Sequence, residues 1–182
     1  MPPPSSKYAR IERERRFLLE RFPHPAEVSR VRYLTDRYIL GTSVRLRRQC
    51  EDGAAAVFKL TQKTPSPSGE TLWGLITTIY LTEAEYAVFA ALPAQALTKT
   101  RHSIPPFGID VFEGTLEGLF LAEAEFDCDA AADALLLPPF ISAEVTHDPR
   151  FTGGRLARAT RSEVGAWLQE FGIQLGDPHC TP

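Results

Sequence analysis

Along most of the chain, apolar and polar residues alternate at period two, in short runs separated by turn signals. Over 43–47, Val44 and Leu46 fall on one face and Ser43, Arg45 and Arg47 on the other. Over 57–63, Phe58 and Leu60 oppose Lys59, Thr61 and Lys63. Further on, Ile109 and Val111 oppose Asp110 and Phe112, and Phe120, Ala122, Ala124 and Phe126 oppose Glu123 and Glu125. Such runs predict antiparallel strands with one face for a core and one carrying charge. Helical signals are fewer. The segment 82–92 opens with a capping box, Thr82 with Glu85, and Leu81 and Tyr86 are placed to staple it. The segment 127–137 predicts a helix stopping before Pro138 and Pro139. A second capping box, Thr160 with Glu163, opens 160–172, which ends at Gly172. These helices would cover a sheet or barrel from outside, giving an α+β fold dominated by β.

The stretch RIERERRFLLERFP, residues 10–23, tests this reading, because Glu12 to Arg16 are five charges in a row. A helix would pair Glu12 with Arg16 and do little more. A strand places Glu12, Glu14 and Arg16 on one face, and Ile11, Arg13, Arg15 and Phe17 on the other. The strand fits its neighbours, and its second face would reach solvent or partners outside the barrel through its arginines. Like charges then recur on one face of strand after strand: Glu12/Glu14, Arg45/Arg47, Lys59/Lys63, Lys99/Arg101 and Glu123/Glu125. On a plain water-facing sheet such pairs repel. Inside a closed barrel, residues two apart would project about 7 Å from one another. Basic pairs at that spacing suit a chain of phosphates, and carboxylate pairs suit a hard divalent cation such as Mg²⁺ or Mn²⁺. A polyphosphate and its metal would neutralise both signs together, which is the setting of metal-assisted phosphoryl chemistry.

Composition narrows the classes. At 182 residues, the chain reads as a single domain over 7–175 with loose tails at 1–6 and 176–182. A net charge of −3 gives no reason to expect a nucleic-acid partner, and no apolar run nears a bilayer-spanning length, so no membrane partner is expected. Cys50, Cys128 and Cys180 are far apart and odd in number, which reads as reduced thiols in a cytoplasmic protein. His24, His102, His147 and His179 share no ligand spacing and are given no role.

The ordered motifs resemble the triphosphate tunnel metalloenzymes, the CYTH superfamily, and within it the small bacterial inorganic tripolyphosphatases. The family's opening E-x-E-x-K strand is matched by Glu12, Glu14 and Arg16. Its R-x-R strand is matched by Arg45 and Arg47, the next by Lys63, and its K-x-R pair by Lys99 and Arg101. Its I-D-x-F…E-x-E-F run is matched by Asp110, Glu123 and Glu125, and its closing segment by EVTHDPRFTGGRLA, with Glu144, Asp148 and Arg150. The resemblance covers roughly 7–160. It implies a closed antiparallel barrel of eight strands with helices packed outside and the charged faces lining a tunnel. It implies that Arg45, Arg47, Lys63, Lys99 and Arg101 bind the triphosphate, and that Glu12, Glu14, Glu123 and Glu125, with Asp110 nearby, hold Mg²⁺ or Mn²⁺. Glu12, Glu14 and Arg16 are the expected catalytic group. The implied activity is metal-dependent hydrolysis of a small triphosphate: inorganic tripolyphosphate, a nucleoside triphosphate or thiamine triphosphate. The alternatives are a tunnel that binds polyphosphate or nucleotide without turning it over, and a class IV-type adenylate cyclase. Two departures stand out. Arg16 replaces the family's lysine, and the strand expected at 71–81 carries no charge, with Glu70 only at its edge. Glu144, Asp148 and Arg150 are left between a site role and a structural one, and Lys59 is read as a barrel-mouth lysine.

Overall fold

The computed structural model describes residues 8–23, 28–65 and 73–176. The tails expected at 1–6 and, but for Gly176, at 176–182 lie outside these residues, as do Glu70, His24, His179 and Cys180. Among the described residues, nine strands form in chain order: β1 (Arg10–Leu19), β2 (Arg30–Ile39), β3 (Val44–Cys50), β4 (Val57–Pro65), β5 (Trp73–Leu81), β6 (Ala94–Ile104), β7 (Phe107–Phe112), β8 (Phe120–Phe126) and the two-residue β9 (Ala143–Glu144). Pairing runs β5-β4-β3-β2-β6-β7-β8-β1, and β1 also pairs with β5, so eight antiparallel strands close on themselves. Closure is possible because β1 divides its free edge. Its first residues, Arg10–Arg13, pair with β5, while Phe17 and Leu18 pair with β9. The stretch Glu12–Arg16 is therefore strand throughout.

The alternation seen in the sequence sorts the barrel into an inside and an outside. On β1 the inward row is Glu12, Glu14, Arg16, Leu18, and the outward row includes Arg13, Arg15, Phe17 and Leu19. Outward Phe17, Leu19, Ile104, Phe107, Ile109, Ala122 and Ala124 form one apolar cluster, joined by Leu135, Phe140 and Ile141. Inward Leu18, Leu97, Phe112 and Leu121 form another, with Phe151, Leu156, Val164, Leu168 and Ile173 of the closing segment. One end of the barrel is thus filled by apolar side chains under the C-terminal elements, and the inward charges lie in the remainder of the interior. The outward arginines find partners as expected: Arg13 pairs with Asp129 at 2.6 Å, and Arg15 grips Glu144 at 2.9 and 2.6 Å.

Both capping boxes form. Thr82 caps α1 (Glu83–Ala90) and Thr160 caps α4 (Arg161–Gln169). α1 covers β3, β4 and β5 from outside, with Tyr86 against Phe58 at 4.7 Å between ring centres. The helix expected over 127–137 is shorter: α2 spans only Asp129–Asp133. Leu135, Phe140 and Ile141 leave the helical path to cover the outer cluster, and Pro138 biases the residue before it towards extended backbone. A 3₁₀ turn (Pro149–Phe151) and the one-turn α3 (Gly153–Leu156) complete the closing segment.

Candidate active site

Circular order decides which charges meet. β8 and β1 are neighbours, and across the barrel from them stand β3 and β2. The carboxylates of β1 and β8 therefore face the arginines of β3. Between them lies a cavity of about 800 Å³ whose wall includes Glu12, Glu14, Arg16, Arg45, Arg47, Lys63, Lys99, Arg101, Glu123 and Glu125. Ten of the eleven residues singled out from the sequence line this one space. The eleventh, Asp110, is fully buried behind it. The cavity opens between the β2–β3 turn, at Thr42 and Ser43, and the closing segment, at Thr146, His147 and Gly153–Arg155.

The carboxylates separate into two sets. Glu12, Glu14 and Glu125 each offer an oxygen within 4.8 Å of the others. Burial, with the neighbouring charges of Glu123 and Glu12, pushes the Glu14 carboxyl up to about 7, although Lys63 and Arg16 pull the other way. Three carboxylates this close repel until a cation joins them, and oxygen donors suit a hard divalent ion. Lys63 partly answers the charge, 2.6 Å from Glu12 and 3.9 Å from Glu14.

Asp110 and Glu123 are placed differently. Asp110 accepts two hydrogen bonds from Arg101, at 2.6 and 2.7 Å, and a third from Lys99. Arg101 also reaches Glu123. It does so by lying over Gly108, the register partner of Glu123, where an added Cβ would sit 3.1 Å from the Arg101 side chain. Burial alone would raise the Glu123 carboxyl, but Arg101 and Lys99 hold it well below the usual range. The sequence reading grouped Asp110 and Glu123 with the metal carboxylates; the structure sets their oxygens on Arg101 and Lys99.

One residue passed over in the sequence has the matching role on the other wall. Asp36, 0% exposed, takes two bonds of 2.6 Å from Arg47 and lies 3.7 Å from Arg45. Burial opposes its charge, yet Arg47 and Arg45 keep its carboxyl down at about 2. Arg45 remains under-used: its Nε is buried without a hydrogen bond. Asp36 could have been found as the inward register partner of Arg47 between Leu34 and Tyr38, but a lone aspartate gives no repeat to notice. Arg155, in the closing motif, and Arg158, just after it, also line the cavity wall and had no role assigned.

Arg16 donates to the Thr146 carbonyl at 2.6 Å and lies 3.7 Å from Glu14. Glu144 takes Arg15 on the outer face, and Arg150 bridges Asp148 and Glu170, at 2.7 Å to each. These contacts give Glu144, Asp148 and Arg150 a structural role in holding the closing segment. The expected uncharged strand is present over 73–81, with Gly74, Ile76 and Thr78 facing inward through their pairing with Glu12, Lys63 and Thr61. Lys59 sits inward beyond Thr61, beside its register partner Arg47.

No family model matches the chain. Over 75 residues, 38% of this chain, it is 39% identical to an inorganic triphosphatase of Nitrosomonas europaea, and that match spans half the length of the relative. Among solved structures, it is similar to the inorganic triphosphatase NE1496, with a TM-score of 0.54 and 28% identity over 81% of this chain and 95% of that one. A second structure of NE1496, described as a hypothetical protein, gives 0.53 and 28% over 82% and 99%. Fold and relatives agree with the resemblance carried by the motifs.

Proposed function

We propose that this chain is a triphosphate tunnel hydrolase, cleaving a phosphoanhydride bond of a small triphosphate, inorganic tripolyphosphate before others, with a divalent cation, Mg²⁺ or Mn²⁺. The observation that carries this reading is the cavity's charge arrangement. Eight cationic side chains and four carboxylates line one space, with the close carboxylate trio on one wall and Arg45 and Arg47 on the wall opposite. A compact polyanion bearing a divalent cation is the ligand that neutralises both walls.

Glu12, Glu14 and Glu125 would hold the cation, which supplies positive charge to the phosphoryl oxygens and acidifies an attacking water. Arg45, whose Nε lies 3.7 Å from Asp36 but makes no hydrogen bond, would turn its guanidinium to a phosphate oxygen, and Lys63 adds an ammonium to the same wall. Arg47, Lys99 and Arg101 are locked by Asp36, Asp110 and Glu123, so their positions are set before substrate arrives. Such preorganisation is where phosphoryl-transfer enzymes obtain most of their rate. Arg155 and Arg158 at the mouth extend the positive surface outward. Cys50 and Cys128 are free thiols, in keeping with a reducing, cytoplasmic setting. Among the described residues, no helix is long and apolar enough to cross a membrane.

The test measures orthophosphate release from tripolyphosphate, ATP and thiamine triphosphate with Mg²⁺ or Mn²⁺, and cyclic nucleotide from ATP. Release from tripolyphosphate that stops on chelation is expected. Glu14→Gln and Glu125→Gln should each lower kcat by about a hundredfold or more, the scale of losing one preorganised electrostatic contributor. Tight tripolyphosphate binding without turnover under either metal would favour the second reading, a binding tunnel. Two observations support that alternative: Arg16 cannot give up a proton as a lysine could, and the inward row of β5 brings no carboxylate for a second cation.

A further inference from the structure

β9 is only two residues long, and its pairing with β1 ends just before Arg16, on the cavity wall. There the Val145 N–H bonds to the Arg16 carbonyl at 2.8 Å, but the Arg16 N–H goes to a side chain, the Thr146 hydroxyl, at 3.1 Å. Thr146 also takes the far end of the same residue, because its carbonyl accepts from the Arg16 guanidinium at 2.6 Å. One buried residue, 1% exposed, thus holds Arg16 by backbone and by side chain.

The hydroxyl is itself held from outside the barrel. It donates to Glu144 at 2.6 Å, on the carboxylate oxygen that also accepts from Arg15 Nε at 2.9 Å. The second Glu144 oxygen takes Arg15 Nη2 at 2.6 Å, and Arg15 Nη1 reaches the Ala132 carbonyl of α2 at 2.8 Å. Arg15 and Arg16 are consecutive and point to opposite faces of β1, yet Glu144 and Thr146 link them through the wall. An ionised Glu144 can only accept, so the Thr146 hydroxyl donates to it and keeps a lone pair for the Arg16 N–H. With Thr146 fixed in this way, its carbonyl is a neutral acceptor on the cavity side. Arg16 Nε stays 3.7 Å from Glu14, beyond hydrogen-bond distance. A guanidinium released from that carbonyl would close on Glu14, because a bond to a carboxylate is the stronger one. It would then take an oxygen from the carboxylate trio.

We infer that Thr146 is a positioning residue of the cavity. With its hydroxyl set by Glu144 outside the barrel wall, it holds the Arg16 charge in the cavity and off Glu14, which leaves the trio for the cation. Its effect on rate rests on the hydrolase reading, whereas its hold on Arg16 does not.

Wild type, Thr146→Ser, Thr146→Val and Glu144→Gln are compared. Rotation of the Arg16 guanidinium is followed by nitrogen-15 NMR, its signals assigned by their loss in Arg16→Lys. Rotation should be restricted in the wild type and in Thr146→Ser, and at least about tenfold faster in Thr146→Val, the scale of a lost hydrogen bond to a charged group. Calorimetric Mn²⁺ affinity should weaken in Thr146→Val, and its kcat on tripolyphosphate should fall about tenfold, while Thr146→Ser stays within about twofold on both. Added to Arg16→Gln, Thr146→Val should change neither quantity by more than about twofold, because it acts through Arg16. A merely structural Thr146 would cause its full loss on that background too, and this result would overturn the inference. So would a freely rotating guanidinium in the wild type, or equal rotation in wild type and Thr146→Val. Glu144→Gln, an outer-face change, should move every readout the same way by less and serves if Thr146→Val does not fold; its failure to move them would count against the inference equally. If the wild type turns over no triphosphate, the hydrolase reading fails, and the rotation and Mn²⁺ measurements alone decide the role of Thr146.

Discussion

At the residue scale, the buried aspartates do the structural part of the site's chemistry. Asp36 is a single carboxylate against two arginines, with no solvent to replace it. Asp36→Asn should cost about 3–5 kcal/mol in chemical denaturation, because it leaves Arg47 buried without its counter-charge. If the cost were only a few tenths, Arg47 would be relaxing to another partner. Arg16 shows the converse case, a change of residue type whose consequence depends on its neighbours. Its guanidinium spans from Glu14 to the Thr146 carbonyl, a double duty for which a single ammonium is less well shaped. Arg16→Lys should therefore loosen the closing segment at Thr146, read as faster hydrogen exchange at Val145, whose N–H bonds to the Arg16 carbonyl at 2.8 Å.

At the element scale, the short α3 is held over the cavity mouth by a close approach. A Cβ on Gly153 would lie 2.0 Å from the Tyr38 hydroxyl, so the inward tyrosine of β2 and the first residue of α3 share a space that only glycine leaves open. Gly153→Ala should raise KM for the triphosphate more than it lowers kcat, by displacing Arg155 and Arg158, and cost about 1–3 kcal/mol by overpacking. An unchanged KM would mean that the mouth does not touch the substrate. The two capped helices differ in what stands on their caps. α4 buries Val164 and Leu168 in the inner cluster, whereas α1 fully buries none of its side chains. Thr160→Ala should cost about 1 kcal/mol of global stability, and Thr82→Ala should act mainly on local fraying of α1. Denaturant melts and amide exchange on the two variants separate these outcomes.

For the whole molecule, closure is the decisive event. It places β8 and β1 opposite β3 and β2, and the buried ion pairs then make stability depend on acid. The Asp36 carboxyl is held at about 2, below its ordinary value near 3.9, so its contribution is complete above about pH 4. It is lost as pH falls from about 4 to about 2. The wild type should therefore lose Tm steeply across that window, and Asp36→Asn should show a shallower slope. Equal slopes would assign the acid sensitivity to other carboxylates.

The sequence by itself determined the strands, their two faces and the chemistry of the inward one, because period-two alternation and hard oxygen and nitrogen donors are local properties. Glu12, Glu14 and Arg16, or Arg45 and Arg47, share a face in any strand. The two capping boxes were legible for the same reason. The extent of α2 was not, since Leu135, Phe140 and Ile141 follow an apolar surface made by other strands. Nor could local pattern divide the carboxylates. Glu123 and Glu125 look alike in the chain, but register puts Glu123 beyond Gly108, within reach of Arg101, and leaves Glu125 with Glu12 and Glu14. Which charge neutralises which is a matter of circular strand order and register, and these exist only once the barrel has closed.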